Sequence, residues 1–235
     1  MHGGASAARR MAGYAVHVFT ASGSVCALLA TLAILDGQFE AGFAWLLLAL
    51  FIDAVDGTFA RAASVEVTVP RFSGERLDLI VDYVTYVFVP VLALLRGGFL
   101  DGAAGVVTAA LLLLSSLYHF ADKESKADDH CFVGFPAVWN LVAFCFFAWG
   151  VPDWVAMSLC LTLAALTFVP MHWIHPMRVG RCFALNVTVA AAGLGAGFWI
   201  LATGFPGGPL PSVVLGLSCA YFVGMAIAWQ LIGRR

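Results

Sequence analysis

Long apolar runs constrain the fold of this 235-residue chain more than any other feature of its sequence. Each run has close to the ~20 mostly apolar residues that a helix needs to cross the hydrocarbon core of a bilayer. Turn-forming residues separate the runs, as in 36–38, 96–98 and 204–209. The sequence therefore predicts an all-α, polytopic transmembrane helix bundle with about eight spans, at 14–35, 42–61, 77–95, 103–120, 134–150, 154–170, 182–203 and 212–232.

The composition excludes several other classes of protein. Hydrophobic residues make up 62% of the chain and charged residues 11%, whereas soluble domains carry about a quarter charged residues. With 12 basic and 14 acidic side chains the net charge is −2, so the chain lacks the basic surface of a nucleic-acid-binding protein. Six cysteines form no CxxC pair, which argues against a zinc site or a thiol redox motif. We expect one membrane domain over 1–235, with a short helix on the membrane surface over 1–13.

The basic residues predict the orientation of the bundle. If the N-terminus is cytoplasmic, eleven basic residues fall on that side and only Arg96 on the other. Lysine and arginine accumulate on the cytoplasmic side of membrane proteins. Both termini and the loop 61–76 are therefore predicted to be cytoplasmic, which requires an even number of spans.

Four aspartates stand at the ends of two consecutive spans. Asp53 and Asp56 close the second span, whereas Asp78 and Asp82 open the third. Spacings of three and four residues place each pair on one face of its helix. Because one cytoplasmic loop joins the two helices, we expect the four carboxylates to converge near the cytoplasmic membrane surface.

Such a cluster predicts a metal site. Four neighbouring carboxylates repel one another unless a counter-charge is present, and carboxylate oxygen suits hard cations such as Mg²⁺ or Mn²⁺. Two metals bridged by carboxylates are a known device for displacement at phosphorus. The alternative is that the acids are ordinary charges at helix ends.

A short motif, 56–61, adds small residues and an arginine to the acids. Gly57 and Ala60 would let a bulky group lie close to the helix backbone. Arg61 is placed to hold a phosphate through paired hydrogen bonds. The alternative for Arg61 is an arginine that extends to the membrane surface.

Together these residues resemble the signature of the CDP-alcohol phosphotransferase family. The matching pattern, Asp53-x2-Asp56-Gly57-x2-Ala60-Arg61-x12-Gly74-x3-Asp78-x3-Asp82, fixes eight residues within 53–82. The resemblance implies a membrane enzyme that moves a phospho group from a CDP-linked donor to an alcohol and releases CMP. It implies that the four aspartates bind two divalent cations and that Asp82 is also the catalytic base. It assigns Gly57, Ala60, Arg61 and Gly74 to CDP-diacylglycerol binding, and it is compatible with a homodimer.

The gap between Arg61 and Gly74 is longer than in most of the family. This gap, the eight predicted spans and the polar loop 121–130 look like the bacterial phosphatidylcholine synthase branch. The implied reaction joins CDP-diacylglycerol and choline in a bacterial inner membrane, with the active site on the cytoplasmic side.

The acceptor site is predicted less directly. A quaternary ammonium ion is usually held against aromatic faces, and Tyr86 lies one turn beyond Asp82 on the same helix face. Tyr86 is therefore the candidate choline-binding residue. We expect His172 and His175 to be interface residues or to contact lipid headgroups, and Asp128, Asp129 and His130 to form a solvated run that could attract a cationic acceptor.

Two other functions remain open at this point. The same chemistry could use serine, inositol or glycerol phosphate as the acceptor, although the phosphorylated acceptors would require more basic residues. A cation transporter would also place carboxylates in the membrane. Transporter sites, however, usually lie near mid-bilayer between repeated halves, whereas these acids lie at helix ends and no repeat is visible.

Overall fold

The computed structural model describes residues 6–125, 131–174 and 182–232, and these are almost entirely helical. The helices are α1 Ala7–Leu35, α2 Phe39–Ala63, α3 Val65–Thr68, α4 Gly74–Asp82, α5 Val89–Arg96, α6 Gly102–Ala121, α7 Trp139–Trp149, α8 Asp153–Leu166, α9 Phe183–Thr203 and α10 Pro209–Ile232. A π-helical segment, Tyr83–Phe88, joins α4 to α5 into one continuous rod. The two short strands β1 Phe132–Val133 and β2 His172–Trp173 pair antiparallel, a small exception to the predicted all-α fold.

Helices occur at all eight predicted positions in the described part of the chain. Six of them, at 7–35, 39–63, 74–96, 102–121, 183–203 and 209–231, are long and apolar enough to cross a membrane. The other two, α7 and α8, have 11 and 14 residues. The helical membrane bundle is thus confirmed, whereas the count of eight crossings and the cytoplasmic termini stay predictions.

The start of α1 differs from the separate surface helix predicted over 1–13. Residues 7–13 are the first two turns of α1 and not a separate surface helix, and residues 1–5 lie outside the described part of the chain. Ser6 caps the helix, because its Oγ accepts a hydrogen bond from the N–H of Arg9.

The short helix α7 is preceded by non-helical backbone that the protein itself covers. Phe135 and Ala137, before α7, are 3% and 0% exposed. The turn after α7 lies beside other loops, because the N–H of Gly207 donates to the carbonyl of Ala148 at 2.8 Å. Non-helical backbone at membrane depth is tolerated where protein surrounds it.

The outer surface is apolar, as lipid contact requires. Val18, Val106 and Leu217 are each more than half exposed on three different helices. The core lies where α1, α2, α5, α6, α7 and α8 meet, and Trp139 is fully buried there with its indole N–H donating to Ser116 Oγ at 2.7 Å.

Helices α1 and α4 pack closely at the level of the predicted site. A Cβ added to Gly23 would lie 2.6 Å from Cγ1 of Val81, which is too close for a real contact. The absence of a side chain at Gly23 therefore sets how near α1 comes to the helix that carries Asp78 and Asp82.

Candidate active site

Three of the four predicted aspartates meet in the folded chain. Asp53 from α2 and Asp78 and Asp82 from α4 each offer a carboxylate oxygen, and these oxygens lie within 4.8 Å of one another. All three side chains are half-buried. The predicted convergence is thus confirmed for these three acids but not for Asp56, and the packing of α2 against α4 brings the three together.

A change of helix type immediately follows Asp82. The π-helical segment Tyr83–Phe88 precedes Pro90 at the second position of α5. Proline lacks an N–H, and in a regular α-helix its ring would clash with the carbonyl of Tyr86, so a wider turn accommodates it. Such π segments are frequent at functional sites.

The fourth aspartate, Asp56, is held by a helix that the sequence analysis did not assign to the site. Asp56 is 7% exposed, and its Oδ2 accepts a hydrogen bond of 2.7 Å from Thr20 Oγ1 of α1. A signal for this contact was present in the sequence. Polar residues inside an apolar span usually face protein, and His17 and Thr20 share one face of α1 with Gly13 and Gly23.

Tyr86 also reaches the acid cluster, as its position one turn beyond Asp82 indicated. Its hydroxyl donates to Asp53 Oδ2 at 2.8 Å. The structure therefore joins the predicted choline-binding residue to a predicted metal ligand.

The residues predicted to bind the CDP group make few contacts with other side chains. A Cβ at Gly57 would approach only Nη1 of Arg61, at 3.3 Å, and one at Gly74 would lie 3.5 Å from Cε1 of His17. Ala60 is half-buried, while Arg61 is exposed and donates through Nη2 to Thr58 Oγ1 at 3.1 Å. Unlike Gly23, neither Gly57 nor Gly74 is held against another helix by a contact too close for a side chain.

The long gap after Arg61 folds against α1. It contains α3, and a Cβ at Gly13 would lie 2.6 Å from Cγ2 of Val69 and 2.7 Å from Oγ1 of Thr68. Further along, the ring of Phe72 lies 6.2 Å from that of Tyr14. The gap is thus a packed segment that covers the first turns of α1.

Other sequence candidates lie apart from the cluster or outside the described residues. His172 is in β2, paired with Val133 of β1. His175 and the run Asp128, Asp129 and His130 fall outside the described part of the chain, so the predictions for them stay untested.

The donor set fits a hard divalent cation. All three clustered ligands are carboxylates, and their oxygens are close enough to share an ion. Oxygen-only ligands favour Mg²⁺ or Mn²⁺ over thiophilic metals.

Comparison with known proteins finds several phosphatidylcholine synthases that are similar to this chain. Phosphatidylcholine synthase of Pseudomonas aeruginosa is 39% identical over 223 residues, covering 92% of this chain and 91% of that protein. The protein of the same name from Bradyrhizobium diazoefficiens is 41% identical over 225 residues, covering 96% and 83%. That of Brucella melitensis is 42% identical over 176 residues, covering 75% of this chain and 64% of that protein.

No protein-family model matches the chain, so the wider CDP-alcohol phosphotransferase family is not shown directly. The narrower relationship is shown, because the Pseudomonas and Bradyrhizobium proteins align over nearly the whole chain. The prediction that the chain is an enzyme is confirmed by these relatives. The chain belongs to the phosphatidylcholine synthase family.

Proposed function

We propose that this protein transfers the phosphatidyl group of CDP-diacylglycerol to choline, forming phosphatidylcholine and releasing CMP. The observation that carries the proposal is the meeting of Asp53, Asp78 and Asp82 within 4.8 Å in a chain whose relatives are phosphatidylcholine synthases. The CDP-alcohol phosphotransferase signature in 53–82 supports the same chemistry.

The acids would hold two divalent cations, Mn²⁺ or Mg²⁺. Asp53, Asp78 and Asp82 supply clustered oxygens, and Asp56 adds a fourth carboxylate one turn from Asp53 on α2. When bound, such cations neutralise the charge that develops on the phosphoryl oxygens and on the departing CMP.

Asp82 acts as the general base in this proposal. Its carboxylate accepts the proton of the choline hydroxyl while that oxygen bonds to the phosphorus that carries diacylglycerol. The bond from the same phosphorus to the oxygen of CMP breaks, and CMP leaves with the bonding electrons. Arg61 holds the pyrophosphate by charge, and Gly57, Ala60 and Gly74 leave room for the donor beside the helices.

The site lies at the end of the helices where most basic residues are found. Arg61, Arg71 and Arg76 are all in or beside the segment that joins α2 to α4. By the distribution of basic residues, this end faces the cytoplasm of a bacterial inner membrane. Choline would then enter from the cytoplasm while the acyl chains of the donor stay in the lipid.

The test is CMP release by purified protein in detergent with CDP-diacylglycerol and Mn²⁺. Choline, serine, inositol and glycerol 3-phosphate are offered separately, and Asp82→Asn is compared with Asp36→Asn, which changes an exposed aspartate at the other end of the helices. We expect release with choline alone, lost on chelation and in Asp82→Asn but retained in Asp36→Asn. Binding of Mn²⁺ is followed independently by its electron paramagnetic resonance signal, and we expect Asp78→Asn to weaken that binding.

Each other result has a clear meaning. Release with serine or inositol would keep the mechanism and replace the acceptor. Absence of metal-dependent release with every acceptor, from folded protein, would overturn the proposal and favour a cation-transport role.

A further inference from the structure

A buried histidine on α1 has no part in the chemistry described so far. His17 is 9% exposed, and its Nε2 has no hydrogen-bond partner among the described residues. Buried polar atoms in proteins nearly always have a partner, so an exception indicates a group whose partner arrives from outside.

The imidazole lies against the beginning of α4. A Cβ at Gly74, the first residue of α4, would be 3.5 Å from Cε1 and 4.0 Å from Nδ1 of His17. The ring of Phe72 packs edge-on against the imidazole, with centroids 6.4 Å apart. Ser73 Oγ satisfies the N–H of Arg76, but the first N–H groups of a helix otherwise point outward and attract negative charge.

The position of His17 relative to the acids is set by two helices. Gly74 precedes Asp78 by four residues, a rise of about 6 Å along α4. On α1, His17 precedes Thr20 by three residues, and Thr20 bonds Asp56. His17 therefore lies about one turn from the carboxylates, on the side where Arg71 and Arg76 are found.

A donor bound as proposed would extend into this space. Its acyl chains stay in the membrane and its pyrophosphate lies at the acids, so its nucleotide must extend toward the basic ends of the helices. Gly74, at the start of α4, lies in that direction, and the buried imidazole of His17 lies beside it.

We propose that His17 binds the CMP portion of the donor through a hydrogen bond from its imidazole. His17 is thus a nucleotide-binding residue contributed by α1, outside the signature segment 53–82. The inference rests on the proposed function, since it requires a CDP-linked donor.

Substitution of His17 distinguishes a role of its side chain in nucleotide binding from a role in packing. We expect His17→Leu, which replaces the imidazole with an apolar side chain of similar size, to raise the KM for CDP-diacylglycerol and the inhibition constant of CMP by about tenfold, the effect of losing one good hydrogen bond. The KM for choline and the thermal unfolding temperature should not change. Ser24→Ala, on the exposed face of α1, is the matched control and should change none of these values.

A second measurement uses the unaltered side chain, in case the leucine variant does not fold. Protein labelled with ¹⁵N-histidine is titrated with CMP in detergent, and the signal of His17 is assigned by its absence in His17→Gln. We expect the imidazole signals of His17 to shift as CMP binds.

Two outcomes would overturn the inference, and they differ from failure of the proposed function. If the wild-type protein releases CMP but His17→Leu keeps its donor KM and CMP inhibition constant, His17 has only a packing role. If CMP binds without moving the His17 signals, the nucleotide lies elsewhere. If the wild-type protein neither releases nor binds CMP, the proposed function fails and this inference fails with it.

Discussion

Individual polar side chains in the membrane-spanning helices are arranged in pairs around the acid cluster. Thr20 donates to Asp56, and Tyr86 donates to Asp53. A buried carboxylate without a hydrogen bond is costly, so each donor both stabilises the fold and fixes the orientation of a carboxylate that is predicted to bind metal. We expect different effects from removing the hydrogen bond to Asp56 and from removing the hydrogen bond to Asp53.

Replacing Thr20 with valine removes the donor and keeps the shape. Because the buried Asp56 carboxylate would lose its partner, we expect the free energy of unfolding to fall by about 1–3 kcal/mol. Unfolding in detergent without added metal measures the change. Thr20→Ser retains the hydroxyl and should stay near the wild-type value, whereas equal stability of the valine variant would show that the bond contributes nothing.

Tyr86 has two proposed roles that two substitutions can separate. Tyr86→Phe removes the bond to Asp53 but keeps an aromatic face, so we expect weaker Mn²⁺ activation and an unchanged KM for choline. Tyr86→Leu removes both features, and we expect it to raise the KM for choline as well. If both variants leave the KM for choline unchanged, the choline-binding prediction for Tyr86 is wrong.

At the scale of elements, the geometry of the acid cluster depends on how closely α1 approaches α4. Small residues on one face of α1, including Gly13 and Gly23, allow contact with Val69 and Val81. Close approach of this kind is typical of helix pairs in membranes. Because α1 also carries His17 and Thr20, its distance from α4 controls the geometry around the acids.

Enlarging Gly23 should therefore disturb both stability and the site. In Gly23→Val the new side chain would overlap Val81, and we expect a loss of about 1–3 kcal/mol in unfolding free energy, as for other overpacked sites. We also expect weaker Mn²⁺ binding, because α4 carries Asp78 and Asp82. Gly195→Ala in α9 is the matched control, since its Cβ would meet no atom within 4 Å. Similar behaviour of the two variants would contradict the proposed role of Gly23.

At the scale of the whole molecule, α7 and α8 decide how many times the chain crosses the membrane. The turn that follows α7 contacts the segment before α10, where the N–H of Phe205 donates to Glu40 at the start of α2. These contacts place residue 150 at the same end of the molecule as the loops 36–38 and 204–208. They favour eight crossings, with α7 extended at its start by buried non-helical backbone.

Labelling with a membrane-impermeant maleimide tests this topology. In a Cys182→Ser background, which removes an exposed native thiol, single cysteines are placed at Asp36, Glu75 and Asp153. We expect Asp153→Cys to react from the same side as Asp36→Cys and from the side opposite to Glu75→Cys. Reaction of Asp153→Cys from the side of Glu75→Cys would instead mean that α7 and α8 do not cross.

The sequence alone determined the membrane class, the approximate positions of the helices and which acids share a helix face. These depend on local properties, because about 20 apolar residues can only span a bilayer as a helix and because spacings of three or four residues fix one helix face. The family resemblance in 53–82 also depends on residues near one another in the chain, and the relatives agree with its phosphatidylcholine synthase branch.

Only the tertiary structure decided which helices complete the site. Thr20 lies 36 residues before Asp56, and Tyr86 lies 33 residues after Asp53, so neither hydrogen bond could be read from local spacing. The closeness of His17 to Gly74 likewise depends on the packing of α1 against α4. Helix periodicity shows which residues share a face, but the neighbour of that face is chosen by close packing between distant segments.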